Sequence, residues 1–516
     1  MPVTAARDEG SLRMWVCRLP VHIGPAEQAV FTVILGEFVI FFRADRVVGP
    51  YSGIFDPPCS VGADDSVRPL DAPVFTRIYG EFVTFPRADV GIGPYNWRGK
   101  TRTIIGVDFM ILRQWHGFCL CAEDEALFPP DAQACKTVSA PLVFLVQRDP
   151  LRSRGLFRIR DLAERSEPET VRCLMPAEPA SGELAGFVRA HGAGVLNVRF
   201  QNAFSVLEAW QKPKKNGLVL TLVGLGDVGG TALLALKLLG HEFSKIQIFD
   251  PNKAQCARYE LELNQVLSPD GDALPEVVSC EEKDLFHCDL FAFTASRGVP
   301  GLDTTVQDVR MAQYEANRAM VGAYARMARN TGFTGLFCQI SDPVDHLSRS
   351  VFLQSNRNAA GELDFAGLLP EQVQGFGLGV MAARCTYYAR QLELDEQNLR
   401  VYGPHGQGLV CANSCGADYD AALSASLTEK TRTANLRVRE LGFKPYLAPA
   451  LSSAAVSILR LVRGQEHFGA IPLGSAYFGC RSRMTPFGAE LVREPIEPAL
   501  LAELQRTHAA LEAFEY

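Results

Sequence analysis

The chain has 516 residues, 47% of them hydrophobic and 21% charged, so it carries enough apolar surface for two or three cores and is not disordered as a whole. Its net charge of −7 excludes the cationic surplus with which nucleic-acid binders neutralise phosphates, and leaves a small molecule as the expected partner. The 14 cysteines contain no CxxC pair and read as reduced, buried thiols, with no metal site and no disulfide set expected.

In chain order, the first feature is a duplication: VFTVILGEFVIFFRADRVVGPY from Val30 to Tyr51 returns as VFTRIYGEFVTFPRADVGIGPY from Val74 to Tyr95. Each copy offers about one β-rich run before a Gly-Pro turn. Two units are fewer than a repeat array needs, so residues 1–105 are expected to be a poorly packed, duplicated β-rich segment, with Met110 as an alternative start; a small β appendage is the other reading. The most apolar stretch, Ala29 to Phe42, contains Glu37 and reads as strand rather than as the roughly 18 uninterrupted apolar residues of a membrane helix. The N-terminus lacks the basic start, apolar core and small-residue site of an export signal, so no membrane partner and a cytoplasmic location are expected. Residues 106–215 mix apolar runs such as Ala140 to Gln147 with Pro-containing polar ones and read as a small α/β segment without a chemical signature. The basic QKPKKNG stretch, Gln211 to Gly217, reads as a boundary.

From Leu218 the run LVLTLVGLGDVGGTALLALKLLG reads as a buried strand, a glycine turn and an amphipathic helix ended by Gly240. Gly224, Gly226 and Gly229 stand at G-x-G-x-x-G spacing. The first permits the tight turn, the second the close approach of a pyrophosphate, and the third the packing of helix on strand. Asp227 and Val228 open the helix, whose free amides and positive dipole end face the phosphates. The next strand, KIQIFD, ends in Asp250, placed to accept hydrogen bonds from ribose hydroxyls, which favours NAD over NADP. This is the βα opening of a Rossmann-type, doubly wound parallel sheet, expected over residues 216–342.

The segment resembles the cofactor domain of the lactate/malate dehydrogenase family, and the likeness runs on through DLFAFTASRGVPG (Asp289 to Gly301), QISDPVD (Gln339 to Asp345), GFGLGVMAAR (Gly375 to Arg384) and VYGPHGQGLVCANS (Val401 to Ser414). The resemblance covers roughly 218–516 and implies an α+β substrate domain over 343–516, ending in a long helix for which EPALLAELQRTHAALEAF is the pattern. It implies that Thr294, Ala295 and Ser296 line the cofactor, and that His405 exchanges a proton with the substrate oxygen while hydride passes to or from nicotinamide. It also implies that Arg384 grips the substrate carboxylate, that Arg310 polarises the substrate carbonyl, and that Asn317 matches an asparagine of the same helix. The implied activity is NAD-dependent hydride transfer on a small 2-hydroxy or 2-oxo carboxylic acid, by a dimer or tetramer. The loop from Gly301 to Arg310 is roughly five residues longer than the family's, in the lid where substrate choice is varied.

Three departures stand out. The family's relay aspartate is replaced by Met381, three positions before Arg384, which should lower the pKa of His405 and weaken proton donation at neutral pH. Asp342 takes the place of the family's asparagine on the substrate oxygen, which suggests that it supplies the missing carboxylate to His405 from another direction. Arg297 stands near the substrate-reading position, where it meets a second carboxylate or faces solvent. Two rivals remain open: a non-catalytic NAD-binding protein with a sensor or structural role, and an enzyme of the same fold acting on another carbonyl or an imine.

Overall fold

The structure is a computed structural model. It describes residues 110–516 apart from 214–215, 269–270, 272 and 298–308, together with the backbone of six strands before residue 90; of residues 309–312 only the backbone is described. Apart from those strands, the expected packing of residues 1–105 lies outside the described residues.

Two units separate, 1–89 and 90–516. In the first, β1 (Thr4–Arg7), β2 (Arg13–Arg18), β3 (Phe31–Leu35) and β4 (Phe38–Phe42) form an antiparallel sheet in that order, and β5 (Phe75–Ile78) pairs with β6 (Glu81–Thr84). Each copy of the repeat therefore supplies two strands rather than one run. Leu35 stands opposite Phe38, with Gly36 and Glu37 between them in sequence.

The second unit begins with β7 (Ile111–Trp115), β8 (Phe118–Ala122), β9 (Gln133–Ala134), β10 (Leu142–Val146) and β11 (Leu156–Ile159), followed by α1 (Glu183–His191), β12 (Ala193–Asn197) and α2 (Ala203–Gln211). Then come β13 (Leu218–Val223), α3 (Asp227–Leu239), β14 (Phe243–Phe249), α4 (Lys253–Leu263), β15 (Glu276–Ser279), β16 (Leu290–Phe293), α5 (Val309–Asn330), β17 (Leu336–Gln339), α6 (Val344–Ser355) and β18 (Val373–Gly375). These six strands lie in the order β15-β14-β13-β16-β17-β18 and every neighbouring pair is parallel. In order of appearance that is 3-2-1-4-5-6, the doubly wound arrangement. The expected boundary at 342 falls between the fifth and sixth of these strands.

Alternation along the strands sends side chains to both faces, as a sheet covered on two sides requires. Leu290 and Ala292 join Leu220, Leu222, Ile246 and Leu233 in one core, while Phe291 and Phe293 join Phe337, Tyr314 and Phe352 in the other. Each buried Leu, Ile or Phe among them contributes about 1.5–3 kcal/mol.

The rest of the chain adds α7 (Leu378–Gln391), β19 (Arg400–Tyr402), β20 (Val410–Ala412), α8 (Ala421–Glu440), a π-helical stretch over Pro449–Val456, α9 (Ser457–Val462), β21 (His467–Leu473), β22 (Ala476–Thr485), β23 (Gly488–Leu491) and α10 (Pro498–Glu512). The closing helix has the expected amphipathic face, with Leu500, Leu504 and Leu511 buried. β21 joins the edge strand β18 antiparallel, β22 and β23 follow, and β23 pairs parallel with β11. One 15-stranded sheet thus runs from β15 through the doubly wound half and the C-terminal strands to β9, so the 110–211 segment is built into the sheet.

The buried carboxyl of Glu371 accepts from the Gly155 and Leu156 amides at 2.9 and 3.1 Å, which ties the start of β11 to the loop before β18. The described cysteines are free thiols. No helix among the described residues is long and apolar enough to cross a membrane.

Candidate functional site

The glycine loop closes as its sequence dictates. Gly224 has φ +95°, and a side chain there would stand 2.6 Å from the Ala295 amide nitrogen; at Gly229 it would run into the Gly224 carbonyl. Gly226, the exposed N-cap of α3, has nothing among the described residues within 4 Å of a would-be Cβ, so the helix N-terminus is open toward a ligand. That cradle fits a pyrophosphate on backbone amides. Asp250, at the end of β14, accepts from the Leu225 and Asn252 amides at 2.8 and 2.9 Å and so braces the loop, with carboxylate lone pairs to spare. Asp227 is held by Lys444 Nζ at 3.0 Å, a cation from the segment after α8 that had no signal in the sequence.

The residues expected to line the cofactor also stitch loops together. The Thr294 hydroxyl points at the Val223 and Gly224 carbonyls, the Ala295 carbonyl accepts from Ser341 Oγ at 2.6 Å, and Ser296 Oγ accepts from Asn317. Asn317 on α5 is fully buried and adds two further bonds. Its Oδ1 accepts from the Arg297 amide at 2.7 Å and its Nδ2 donates to the Asp342 carbonyl at 2.9 Å. It therefore fixes the loop after β16 to the loop after β17. Arg297 is exposed. Arg310 has its backbone in the first turn of α5; its side chain, and the loop before it, lie outside the described residues.

His405, Asp342 and Arg384 meet beyond the carboxyl ends of β16, β17 and β18, the crevice where open α/β sheets bind ligands. The turn carrying His405 uses Gly403 at φ +84°, whose amide donates to the Gly479 carbonyl of β22 at 2.8 Å. The His405 amide donates to Asp345 Oδ2 at 3.0 Å, so α6 fixes the turn from the other side; Asp345 is the second carboxylate of the QISDPVD motif, whose spacing does not announce that role. The ring packs against Gly377, the N-cap of α7, where a Cβ would stand 2.7 Å from Nδ1. His405 Nδ1 lies 3.9 Å from Asp342 Oδ1: within ion-pair distance, beyond a hydrogen bond. The ring is 13% exposed and the Asp342 side chain 51%.

Met381 is buried on α7 and Arg384 Nη1 stands 3.9 Å from its sulfur. Burial pushes the Arg384 pKa down, while Tyr388 and Asp342 pull it back up, so Arg384 and Asp342 sense each other without forming an ion pair. Among the described residues no group of three or more His, Cys, Asp or Glu is placed to hold a metal.

No protein-family model and no curated protein matches the chain. Among solved structures it is similar to a lactate dehydrogenase from a Medee basin deep-sea metagenome library, at 16% identity and TM-score 0.47 over 57% of this chain and 97% of that one. It is also similar to the minor L-lactate dehydrogenase of Enterococcus mundtii in ligand-bound form, at 18% and 0.48 over 58% and 98%. A third is the malate dehydrogenase of Archaeoglobus fulgidus in complex with NADH, at 16% and 0.48 over 57% and 97%. The fold class itself follows from the strand order, parallel from β13 to β18.

Proposed function

We propose that this chain is an NAD-dependent oxidoreductase acting on a small 2-hydroxy or 2-oxo carboxylic acid. The observation that carries the reading is the meeting of an imidazole, a carboxylate and a half-buried guanidinium at the carboxyl ends of strands whose glycine loop is open for a pyrophosphate.

Gly224, Gly226, Asp227, Val228 and Gly229 would hold the dinucleotide phosphates, Asp250 the ribose, and Thr294, Ala295 and Ser296 the wall beside it. Bound NAD supplies the hydride acceptor or, reduced, the donor. Arg384 binds the substrate carboxylate with two parallel N–H groups, which orients the reacting carbon. His405 takes up or delivers the proton of the substrate oxygen at a ring nitrogen, Asp345 holds the turn that carries it through the His405 amide, and the Asp342 carboxylate faces the ring. Arg310 and Arg297 would be the further substrate contacts. The domain limits that go with this reading are 216–342 for the dinucleotide and 343–516 for the substrate.

Fluorescence titration with NADH, followed by loss of NADH absorbance across a panel of 2-oxo acids, tests the reading. Turnover should fall by about 10²–10⁴-fold in His405→Ala. A protein that does not bind NADH at all would sink the proposal. A second reading, a non-catalytic dinucleotide-binding protein, is favoured by Met381 and by the 3.9 Å gap between His405 and Asp342; NADH binding without turnover of any acid would select it.

A further inference from the structure

The phosphate cradle carries a charge of the wrong sign. Asp227, next after the N-cap Gly226, is the first residue of α3, so its carboxylate flanks the amides on which a pyrophosphate would rest. A helix N-terminus is worth roughly half a positive charge, and one carboxylate more than cancels it. Asp250 braces the same loop with a second carboxylate. The cation that answers Asp227 is Lys444, whose Nζ stands 3.0 Å from Asp227 Oδ2 although the two are 217 positions apart. Lys444 lies between α8 and the π-helical stretch, and that stretch packs on α3, with Ala454 and Leu233 in one core. The fold therefore carries the ammonium to the helix end. Lys253, nearer in sequence, is engaged elsewhere, 3.8 Å from Glu281 and over the Phe249 ring.

Helix stability does not account for this placement. Cations favour the C-terminal end of a helix, and α3 has one there: Arg463 Nη2 donates to the Leu239 carbonyl at 2.9 Å and Nε to Glu242 at 2.7 Å. A lysine at the opposite end works against the helix dipole, and an ion pair whose side chains are 77% and 48% exposed contributes little to folding. What the pair does achieve is electrical. With Asp227 cancelled, the positive end of α3 is again available to an anion. We infer that Lys444 is a positioning residue for the dinucleotide: it acts through Asp227, neutralising that carboxylate so that the diphosphate settles on the α3 amides without meeting a like charge. This rests on the glycine loop holding a dinucleotide, as proposed above, and adds that the affinity depends on a side chain from the C-terminal half of the chain.

The test is fluorescence titration of the full chain with NADH at about 0.05 M and about 0.5 M salt, where exposed charges are weakly and strongly screened. At low salt Lys444→Met should weaken NADH binding about tenfold or more, and Lys444→Arg should bind as the parent does. Adding Asp227→Asn to Lys444→Met should restore the affinity to within about threefold of the parent, because the charge that needed cancelling is gone. At high salt the gap between parent and Lys444→Met should narrow. Melting temperatures should stay unchanged throughout, since both side chains are exposed. Affinity in Lys444→Met within about twofold of the parent, or a loss that Asp227→Asn does not recover, would overturn the inference. A parent protein that does not bind NADH would instead remove the dinucleotide reading on which it rests.

Discussion

His467 gives a pH dependence of stability that can be worked from the structure. It opens β21 at 3% exposure, stacks on Phe376 with ring centres 6.0 Å apart, and neither ring nitrogen makes a well-formed hydrogen bond among the described residues. Burial pushes its pKa down from 6.5 to about 4; the Gln465 backbone opposes that shift and the Arg460 charge adds to it. Between those values the unfolded chain binds a proton at this position and the folded chain does not, so stability is lost as the pH falls from 6.5 toward 4. From pH 7.5 to pH 5 the loss amounts to about 2 kcal/mol from this one ring. His467→Leu replaces the imidazole by an apolar side chain of similar volume, leaves no buried nitrogen to be protonated, and should remove that part of the acid sensitivity. Urea unfolding of parent and variant at the two pH values reads it directly: the stability difference between them should widen in the variant's favour by about 2 kcal/mol on acidification. A variant whose stability falls with acid as steeply as the parent's would refute the reasoning.

Glu371 should bend the profile the other way. Burial raises its pKa to about 7, so its contribution is present below the unfolded value of 4.5 and is lost as the pH rises toward 7; Glu371→Gln, which keeps an acceptor for the Gly155 and Leu156 amides, should be the more stable at pH 7.5 relative to its parent than at pH 5 in the same urea experiment. Gly229→Ala drives a methyl into the Gly224 carbonyl and should cost NADH binding at least tenfold, read by fluorescence titration. Gly377→Ala places its Cβ 2.7 Å from His405 Nδ1 and should depress turnover more than NADH affinity, because it displaces the imidazole and leaves the glycine loop alone. Asn317→Ala removes three bonds from a fully buried side chain and should lower stability by on the order of 3 kcal/mol in denaturant unfolding.

The sequence was most readable where the cause of structure is local. Leu218 to Gly240 carries its strand, its turn and its helix stop within one stretch, and β13, α3 and Gly240 stand where those signals put them. The closing helix likewise declares itself through the spacing of Leu500, Leu504 and Leu511. Less was readable where partners are distant. β18 is three residues long and has no periodicity to detect, yet it is the strand through which the parallel half joins β21. The π-helical turn over Pro449–Val456 begins at a proline and is held by packing, with Ala454 in the core beneath α3 and Ser453 bonded to Gly377 and Val380. At the candidate site the types and order of His405, Asp342 and Arg384 were legible. Which carboxylate stands where, and that Asn317, Asp345 and Gly377 position them, depends on contacts between elements that no spacing along the chain encodes.

The pairing of β11 with β23 has a consequence for how the chain comes to be folded. Arg160, just past β11, and Glu490 of β23 are ion-paired although 330 positions apart. On a growing chain β12 is made soon after β11, but the other flank of β11 stays unpaired until synthesis has reached β23. Bringing such remote segments together is entropically slow, and a bare strand edge invites pairing with the wrong neighbour meanwhile. Recovery from denaturant should accordingly be limited by arrival of the last hairpin, and should grow less efficient as the protein concentration is raised.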